Sequence, residues 1–535
     1  MARWWWWWKA DKRGFRGLTL ALWAGFLGWM AWPPHHHPLV LAIAFAPLVH
    51  YVQQTTIRRA VGTAFLGMLL WNFFTTFWIR HATLPGALFA VTANALIFTV
   101  PWWALAMTSR IFRPRFSFLF FVLTWITWEY FHLHWELAWP WLTLGNAFAV
   151  RPEWVQWYAY TGVLGGSIWI WWVTYALLYF FRGRAAFMLR LGGLAAAVAL
   201  PITLSYVLPA PADSGPSVVV GCIQPNIDPY EEKFDQKTAE DQLETLIALS
   251  EKAIRQRARI IIWPETAIPG VVDEDRPDNN PYLRRALTWL QQHRDVWLIT
   301  GAVTQKVYVT VRPPNLTARR VREGVYVDYF NSLLAANDAG VTAFYHKKKL
   351  VPGVESLPYP RLLGFLRPLM ADLGGVTGGY GTDEAVEPLA LDTVLTAPAV
   401  CYESVFGDFL RLFVQQGAHF ITVATNDGWW GPTDGYRQHF HYARLRAVEL
   451  RRWTARSANT GISGIIDPQG QVIQQLEYDR KGVVVGTIRL RDDLTYYART
   501  GDYLGRLAGF LLLIFAALAF SKYYVVRVKK FPYIR

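Results

Sequence analysis

Apolar positions along this chain come in two textures. Over residues 1–210 they form long runs broken only by short polar segments. Over residues 216–500 the runs shorten to the length of single strands and helix faces, and one further long run follows. The long runs predict membrane-spanning helices at about Leu18–Trp32, Leu39–Tyr51, Val61–Ile79, Leu84–Met107, Phe116–Phe131, Tyr158–Phe181, Leu191–Leu208 and Leu504–Phe520. Several reach the roughly 17–25 residues needed to cross about 30 Å of hydrocarbon. The first, second and fifth are shorter, and Leu39–Tyr51 carries the weakest pattern. Trp139–Asn146 (WPWLTLGN) is apolar but too short and too marked by Pro and Gly to cross. It reads as a re-entrant or interfacial loop buried in protein.

In residues 216–500 the pattern changes period. Ser217–Ile223, Arg259–Trp263, Val296–Val303, Tyr329–Ala336, Gly340–Tyr345, Thr396–Val400 and Phe420–Ala424 predict strands. Helical spacing appears over Ala239–Gln256, Glu403–Gln416 and Arg437–Ser457. Alternation of this kind predicts an α/β domain with a largely parallel or mixed sheet. Three segments follow: 1–210 as a seven-span membrane domain, 216–500 as the α/β domain, and 501–535 as a last span with a basic tail.

Charge adds orientation. The chain is 53% hydrophobic with 28 Trp, and only 17% of residues are charged, against about a quarter in soluble proteins. The net charge of +14 does not form an aromatic-interleaved patch, so nucleic acid is not an expected partner. The basic residues gather at the ends of alternate runs instead. Arg3, Lys9, Lys12, Arg13 and Arg16 precede the first. Arg58 and Arg59 follow the second, Arg110, Arg113 and Arg115 the fourth, and Arg182, Arg184 and Arg190 the sixth. Lys522, Arg527, Lys529 and Lys530 follow the last, while the intervening short loops carry only Arg80 and Arg151. By the positive-inside rule both termini are cytoplasmic and the 216–500 domain lies across the membrane. Trp4–Trp8 then reads as an interfacial anchor and His35–His37 as a solvated loop.

Two cysteines, Cys222 and Cys401, exclude a disulfide framework and show no metal-ligand spacing. Three ionisable residues sit at predicted strand ends, where chemistry gathers in such sheets. Glu265 follows IIIW, Lys347 follows the strand through Tyr345, and Cys401 follows TAPAV and precedes a helix. A thiol at a strand-to-helix turn is expected to be open to ligand and biased toward thiolate. A carboxylate takes and returns its proton, and an ammonium stabilises an oxyanion. Each has a plainer reading: a helix-start carboxylate, a solvated basic stretch in HKKK, and a buried small hydrophobe, as Cys222 is expected to be.

The words around the three residues change the balance. IIWPETAIP, YHKKKLVPGVE, VCYESVFGDF, TNDGWWG and QHFHYARLRAVELRRWTARSANTGIS resemble the Glu-Lys-Cys site of the nitrilase (carbon–nitrogen hydrolase) superfamily. With seven spans before and one after, the chain is similar over essentially its full length to the bacterial apolipoprotein N-acyltransferase family. The resemblance implies a four-layer αββα nitrilase-like sandwich in an eight-span bundle of the bacterial cytoplasmic membrane. It also implies a ping-pong reaction in which Cys401 takes an acyl chain from a glycerophospholipid and passes it to the α-amine of a diacylglyceryl-cysteine on an apolipoprotein. Glu265 would be base and acid, and Lys347 the oxyanion partner. Glu355 would orient Lys347 or assist proton transfer, the Tyr402 N–H would donate to the oxyanion, and Glu403 and Asn331 would support the site. Phe234, Asn426 and Trp429 would meet substrate.

Two positions depart from the family pattern. VPGVE stands where VPFGE is common, and Phe234 stands where a tryptophan often does. No metal or organic cofactor is implied. The segments between Thr304 and Asn331 and between Gly364 and Glu387 are candidate lids or ordinary insertions. A membrane-anchored amidase or nitrilase using the same three residues is the main alternative, and a transporter or scaffold the second.

Overall fold

Each of the eight apolar runs is a helix. The computed structural model describes residues 15–181, 186–209, 215–233, 235–364 and 379–529; Trp4–Trp8, Arg182, Arg184 and Phe234 lie outside them. The helices are α1 (Phe15–Met30), α2 (Val40–Gln54), α3 (Ile57–Thr76), α4 (Leu84–Thr108), α5 (Pro114–His134), α6 (Tyr158–Phe180), α7 (Phe187–Val207) and the last, Tyr503–Lys529. Among the described residues six are long and apolar enough to cross a membrane, while α1 and α2, at 16 and 15 residues, fall short.

The shortness of α2 goes with its position. It is the bundle's inner helix, burying Leu41, Phe45, Leu48, Val49 and Val52. Phe45 meets Trp71, Trp102, Trp125 and Trp171 at ring distances of 5.5–6.4 Å. At the other extreme α7 buries only Ala197 and Ser205. Its exposed Leu189, Leu200, Leu204 and Val207 side chains suit a surface that lipid would wet.

Loop ends sort into two sides. Pro33, Thr75, His81 and Ala138, in the last turn of α3 or in the loops after α1, α3 and α5, each offer a backbone carbonyl to the 216–500 region. On the opposite side Arg110, after α4, donates to the Thr55 carbonyl after α2. Over α1 to α5 the loops thus alternate between two sides of the bundle.

Trp139–Asn146 is wholly folded into this junction. Two short 3₁₀ turns, Pro140–Leu142 and Leu144–Val150, are buried along almost their full length. Glu129 on α5 holds the loop from below: its Oε1 accepts the Leu144 N–H at 2.8 Å and the Trp125 indole N–H at 2.9 Å.

The remaining strands make two mixed sheets. They are β1 (Ser217–Gln224), β2 (Ile260–Ile262), β3 (Ile268–Asp273), β4 (Trp297–Val309), β5 (Arg319–Arg322), β6 (Val325–Asn337), β7 (Gly340–His346), β8 (Leu389–Leu391), β9 (Val394–Val400), β10 (Phe420–Thr425), β11 (Thr454–Ala458), β12 (Ser463–Ile466), β13 (Val472–Leu476) and β14 (Gly482–Arg489). One sheet runs β14-β1-β2-β4-β6-β5, with β3 beside β4 and β7 beside β6; the other runs β13-β12-β11-β10-β9-β8. Parallel pairs form both centres, β1-β2-β4 and β9-β10-β11.

The period of two divides the packing. Ile260 and Ile262 face Val400, Ile421 and Ile465 of the second sheet. Ile261 and Trp263 turn to the opposite face, against Leu243 and Leu246 of α8 (Ala239–Arg255) and Leu283 and Leu287 of α9 (Pro281–Leu290).

Three sequence expectations are corrected. The helix predicted over Arg437–Ser457 stops at Leu450, where Arg451 turns left-handed (φ 50°), and Thr454–Ala458 becomes β11 alongside β10. Buried Arg452 fixes that turn by donating to the carbonyls of Ala418 (2.8 Å) and Asp493 (2.7 Å). The helix predicted from Glu403 starts at Gly407, behind a 3₁₀ turn over Cys401–Val405. The segment between Thr304 and Asn331 is chiefly a long β4–β6 hairpin extended by β5, with no ordinary loop except at its tip. We number the later helices α10 (Gly407–Gln415), α11 (Asp434–Leu450) and α12 (Tyr503–Lys529).

Gly145 is where the buried loop passes α6 most closely: a Cβ there would lie 1.9 Å from the Val163 carbonyl oxygen. Gly145→Ala should therefore lower unfolding stability in detergent by about 1–3 kcal/mol, the usual cost of overpacking. A melting temperature equal to wild type would show that the loop yields freely.

Candidate active site

Three strand ends converge at the carboxyl edge of the two sheets. Glu265 leaves β2 through Trp263-Pro264 and crosses tightly over β4. A Cβ on Gly301 would lie 2.4 Å from the Thr266 N, so no larger residue fits under this turn. Lys347 follows β7 and is pinned by its own N–H to the Asn331 carbonyl at 2.8 Å. Cys401 follows β9 in a left-handed conformation (φ 51°). That conformation is strained for a residue with a Cβ, and persists where the surroundings over-determine it.

The surroundings do so through Glu403. Its Oε2 accepts the Val400 N–H at 2.8 Å, and its Oε1 accepts the N–H groups of Lys348 (2.7 Å) and Lys349 (3.1 Å) and the Tyr345 hydroxyl (2.8 Å). One buried carboxylate thus ties the turn after Cys401 to the strand carrying Lys347. Behind the turn, the Ser404 hydroxyl reaches the Cys401 carbonyl (2.8 Å) and His439 Nε2 (2.9 Å), and Asp427 accepts from His439 Nδ1 (2.8 Å) and Arg456 (2.5 Å).

Lys347 lies between two carboxylates. Its Nζ is 2.8 Å from Glu355 Oε1 and 3.5 Å from Glu265 Oε1. Asn331 Nδ2 bridges the same two groups at 3.0 and 2.8 Å. The Val351 N–H donates to Glu355 Oε2 at 2.9 Å, so the VPGVE turn still delivers Glu355 onto Lys347. Glu265 Oε2 accepts the Asn426 N–H at 3.2 Å. Burial alone would lower the lysine's pKa, but Glu355 and Glu265 outweigh it and hold Lys347 firmly protonated.

The thiol behaves differently from the sequence expectation. Burial, then the Glu265 charge, push the Cys401 pKa up, while Lys347 and a hydrogen bond with Thr425 pull it down less. The side chain is 8% exposed. The strand-to-helix position does not supply the expected thiolate bias, because a 3₁₀ turn separates Cys401 from α10 and the residue is desolvated. Cys222, in the core of β1, is raised to about 12 by burial alone.

The other sequence-flagged residues are placed as follows. The Tyr402 hydroxyl donates to the Ala138 carbonyl at 2.7 Å. Asn426 is buried, with its side-chain oxygen accepting from Asn459 (3.1 Å). Trp429 stands edge-on to Tyr230 (5.2 Å), whose hydroxyl also reaches the His81 carbonyl at 2.9 Å. Phe234 lies outside the described residues.

Two features had no sequence signal. Lys233, in a charged segment that reads as solvated, is buried with its ammonium on the Glu265 carbonyl (2.7 Å), and burial lowers its pKa to about 8. The Asp427–His439–Ser404 chain joins residues whose spacing announces no shared role. Cys401, Asp427 and His439 have the proximity of a metal site, but Asp427's oxygens are engaged by Arg456, His439 and Thr425.

Residues 219–493 match the carbon–nitrogen hydrolase family, just over half the chain. The chain belongs to the carbon–nitrogen hydrolase family. Residues 24–176 match the apolipoprotein N-acyltransferase N-terminal domain, so this member couples the hydrolase fold to a membrane bundle. It is 29% identical to an apolipoprotein N-acyltransferase of Chlorobaculum tepidum, over 91% of this chain and 93% of that one. It is also 29% identical to one of Pseudomonas syringae, over 95% and 97%. Among solved structures, an amidase from Nesterenkonia sp. aligns at 17% identity and TM-score 0.36, over 56% of this chain and 98% of that one.

A raised thiol pKa has a direct consequence for reactivity. Alkylation of Cys401 by iodoacetamide should accelerate with pH from 7 to 9 without levelling, because the pKa lies above the ordinary cysteine value of about 8.5. A plateau below pH 8, followed by peptide mass mapping of Cys401, would contradict this environment.

Proposed function

We propose that this member of the family transfers an acyl chain from a glycerophospholipid to the α-amine of an N-terminal diacylglyceryl-cysteine on an apolipoprotein. The observation that carries the reading is the hydrogen bond from Tyr402, the residue after the candidate nucleophile, to Ala138 of the membrane bundle. It couples the Cys401 turn directly to the helices, which favours substrates that stay in the bilayer. Withdrawing an acyl chain into water costs about 0.8 kcal/mol per CH₂. A hydrolase for soluble amides gains nothing from such a junction. The relatives named apolipoprotein N-acyltransferase, matched over more than nine-tenths of this chain, support the same reading.

The proposed chemistry uses three side chains. Glu265 takes the Sγ proton as the sulfur attacks the ester carbonyl, which offsets the cost of the raised thiol pKa. Lys347 and the Tyr402 N–H stabilise the oxyanion. Collapse expels the glycerol oxygen, which Glu265 protonates, and leaves a thioester on Cys401 and a free lysophospholipid. The α-amine of the acceptor then attacks, Glu265 removes its proton, and that proton returns to the departing sulfur. Glu355, Glu403 and Asn331 act as positioning residues, and Lys347 stays protonated throughout. Asn426 and Trp429 remain proposed substrate contacts, as does Phe234. No cofactor enters the scheme.

The remaining proposals concern setting. The eight helices cross the bacterial cytoplasmic membrane with both termini inside, and the four-layer αββα domain of 216–500 faces the periplasm. Helix alternation and the flanking arginines support this orientation.

Incubation of the purified protein with phospholipid and a diacylated lipopeptide should yield a triacylated lipopeptide and one lysophospholipid per product. An N-acetylated lipopeptide should yield none. Glu265→Gln should slow the reaction by about 10²–10⁴-fold, and Lys347→Met by at least about 10²-fold. Free fatty acid as the main product, whether or not the amine is present, would return the chain to the amidase alternative.

A further inference from the structure

Beside the nucleophile's turn lies a cavity of about 600 Å³, bounded by both halves of the molecule. The end of α5 contributes Trp135, the hairpin tip Leu316, and the turn after Cys401 contributes Tyr402 and Phe406. Most of this wall is apolar or aromatic. Its polar lining includes the ammonium groups of Lys348 and Lys349 and the Glu136 carboxylate, which accepts the Tyr359 N–H.

The two lysines differ. Lys348 pairs with Asp383. Lys349, among the described residues, makes no ion pair. Its ammonium rests on the faces of Phe406 and Phe409, 5.4 and 5.9 Å from their ring centroids. The acids nearest it are engaged elsewhere. Glu403 accepts from Val400, Tyr345 and the backbone N–H groups of Lys348 and Lys349. Asp408 accepts from Arg411 Nε (2.7 Å) and the Asp502 N–H (3.2 Å). A half-buried cation held on aromatic rings, desolvated enough to lower its pKa, is poised for an anion that the protein does not supply.

From this juxtaposition we infer that Lys349 is a subsite for the phosphodiester of the acyl-donor lipid. The inference rests on the proposed acyl transfer and names what holds the donor's polar end. Lys349 and Tyr402, the residue after Cys401, line the same cavity, so a phosphate held at Lys349 brings the donor's ester to the nucleophile's turn. An ester linkage in a glycerophospholipid lies only a glycerol unit from the phosphate, so a short span of wall suffices for both. The apolar lining takes the chains. Lys349 anchors the donor and does not touch the reacting atoms.

The test compares two donors with the full-length protein in detergent micelles: dioleoylphosphatidylethanolamine, which carries the phosphodiester, and dioleoylglycerol, which lacks it. The readout is transfer of oleate to a diacylated lipopeptide. Wild type should favour the phospholipid. Lys349→Met should lower kcat/KM for the phospholipid by about tenfold to a hundredfold, the worth of one charge-assisted hydrogen bond, through KM. Its use of dioleoylglycerol should be unchanged, and Lys349→Arg should retain most of the preference. Equal use of both donors by wild type, or equal loss of both in Lys349→Met, overturns the subsite. Inhibition of wild type but not Lys349→Met by millimolar inorganic phosphate, with no preference between the two donors, reassigns it to a free anion. Wild type that uses neither donor overturns the acyl-transfer reading as well.

Discussion

A lysine ammonium buried between two carboxylates is the constraint around which this molecule is arranged. Taking an ion out of water costs several kcal/mol, recovered only with good geometry and further hydrogen bonds. Lys347 meets both conditions: Glu355 at 2.8 Å, Glu265 at 3.5 Å, and Asn331 donating to both acids. These groups come from the ends of β2 and β7, the middle of β6, and the turn after Lys347. Removing Lys347 would leave two buried carboxylates without their shared cation, so the strand ends are tied together by that one charge. The same arrangement leaves Glu265 in contact with the lysine and near enough for its charge to raise the Cys401 pKa.

A second constraint joins the chemistry to the membrane bundle. The Gln438 side-chain amide, on α11, has its capacity filled almost wholly by that bundle. Its Nε2 donates to the carbonyls of Pro33 (3.0 Å) and Thr75 (3.2 Å), and its Oε1 accepts from Trp78 (3.2 Å) and Trp141 (2.6 Å). One turn along the same helix, Tyr442 accepts from Trp32 (2.9 Å) and donates to the Trp141 carbonyl (2.9 Å). His439, between them, carries the Asp427 and Ser404 contacts behind Cys401. One face of α11 therefore reads the bundle loops while its neighbour supports the nucleophile. In a buried polar network of this kind every member is satisfied or the whole is costly.

Sequence patterning made much of this legible. Long apolar runs located all eight helices, and short continuous apolar runs such as IIIW and TAPAV located the strands that carry Glu265 and Cys401. The pattern failed where tertiary contacts override local preference. Arg451 and Arg452 end α11 because Arg452 finds buried carbonyls on other segments, which helical periodicity does not register. The turn at Cys401 is 3₁₀ because Glu403 folds back onto amides more than fifty residues earlier in the chain. The thiol's protonation was misjudged for a related reason: chain position signals a helix end, but desolvation depends on what covers it. Lys233 was invisible because a lysine among charged neighbours looks the same whether it points to water or into the Glu265 turn.

The central claim is that Cys401 holds an acyl chain as a thioester. It is tested most directly by the intact mass of the detergent-purified protein after incubation with phospholipid alone, for wild type and Cys401→Ala. The account predicts a mass increase of one acyl chain in wild type, removed by hydroxylamine and absent from the variant. An unchanged mass with no lysophospholipid released, or an adduct that persists in Cys401→Ala, would contradict it.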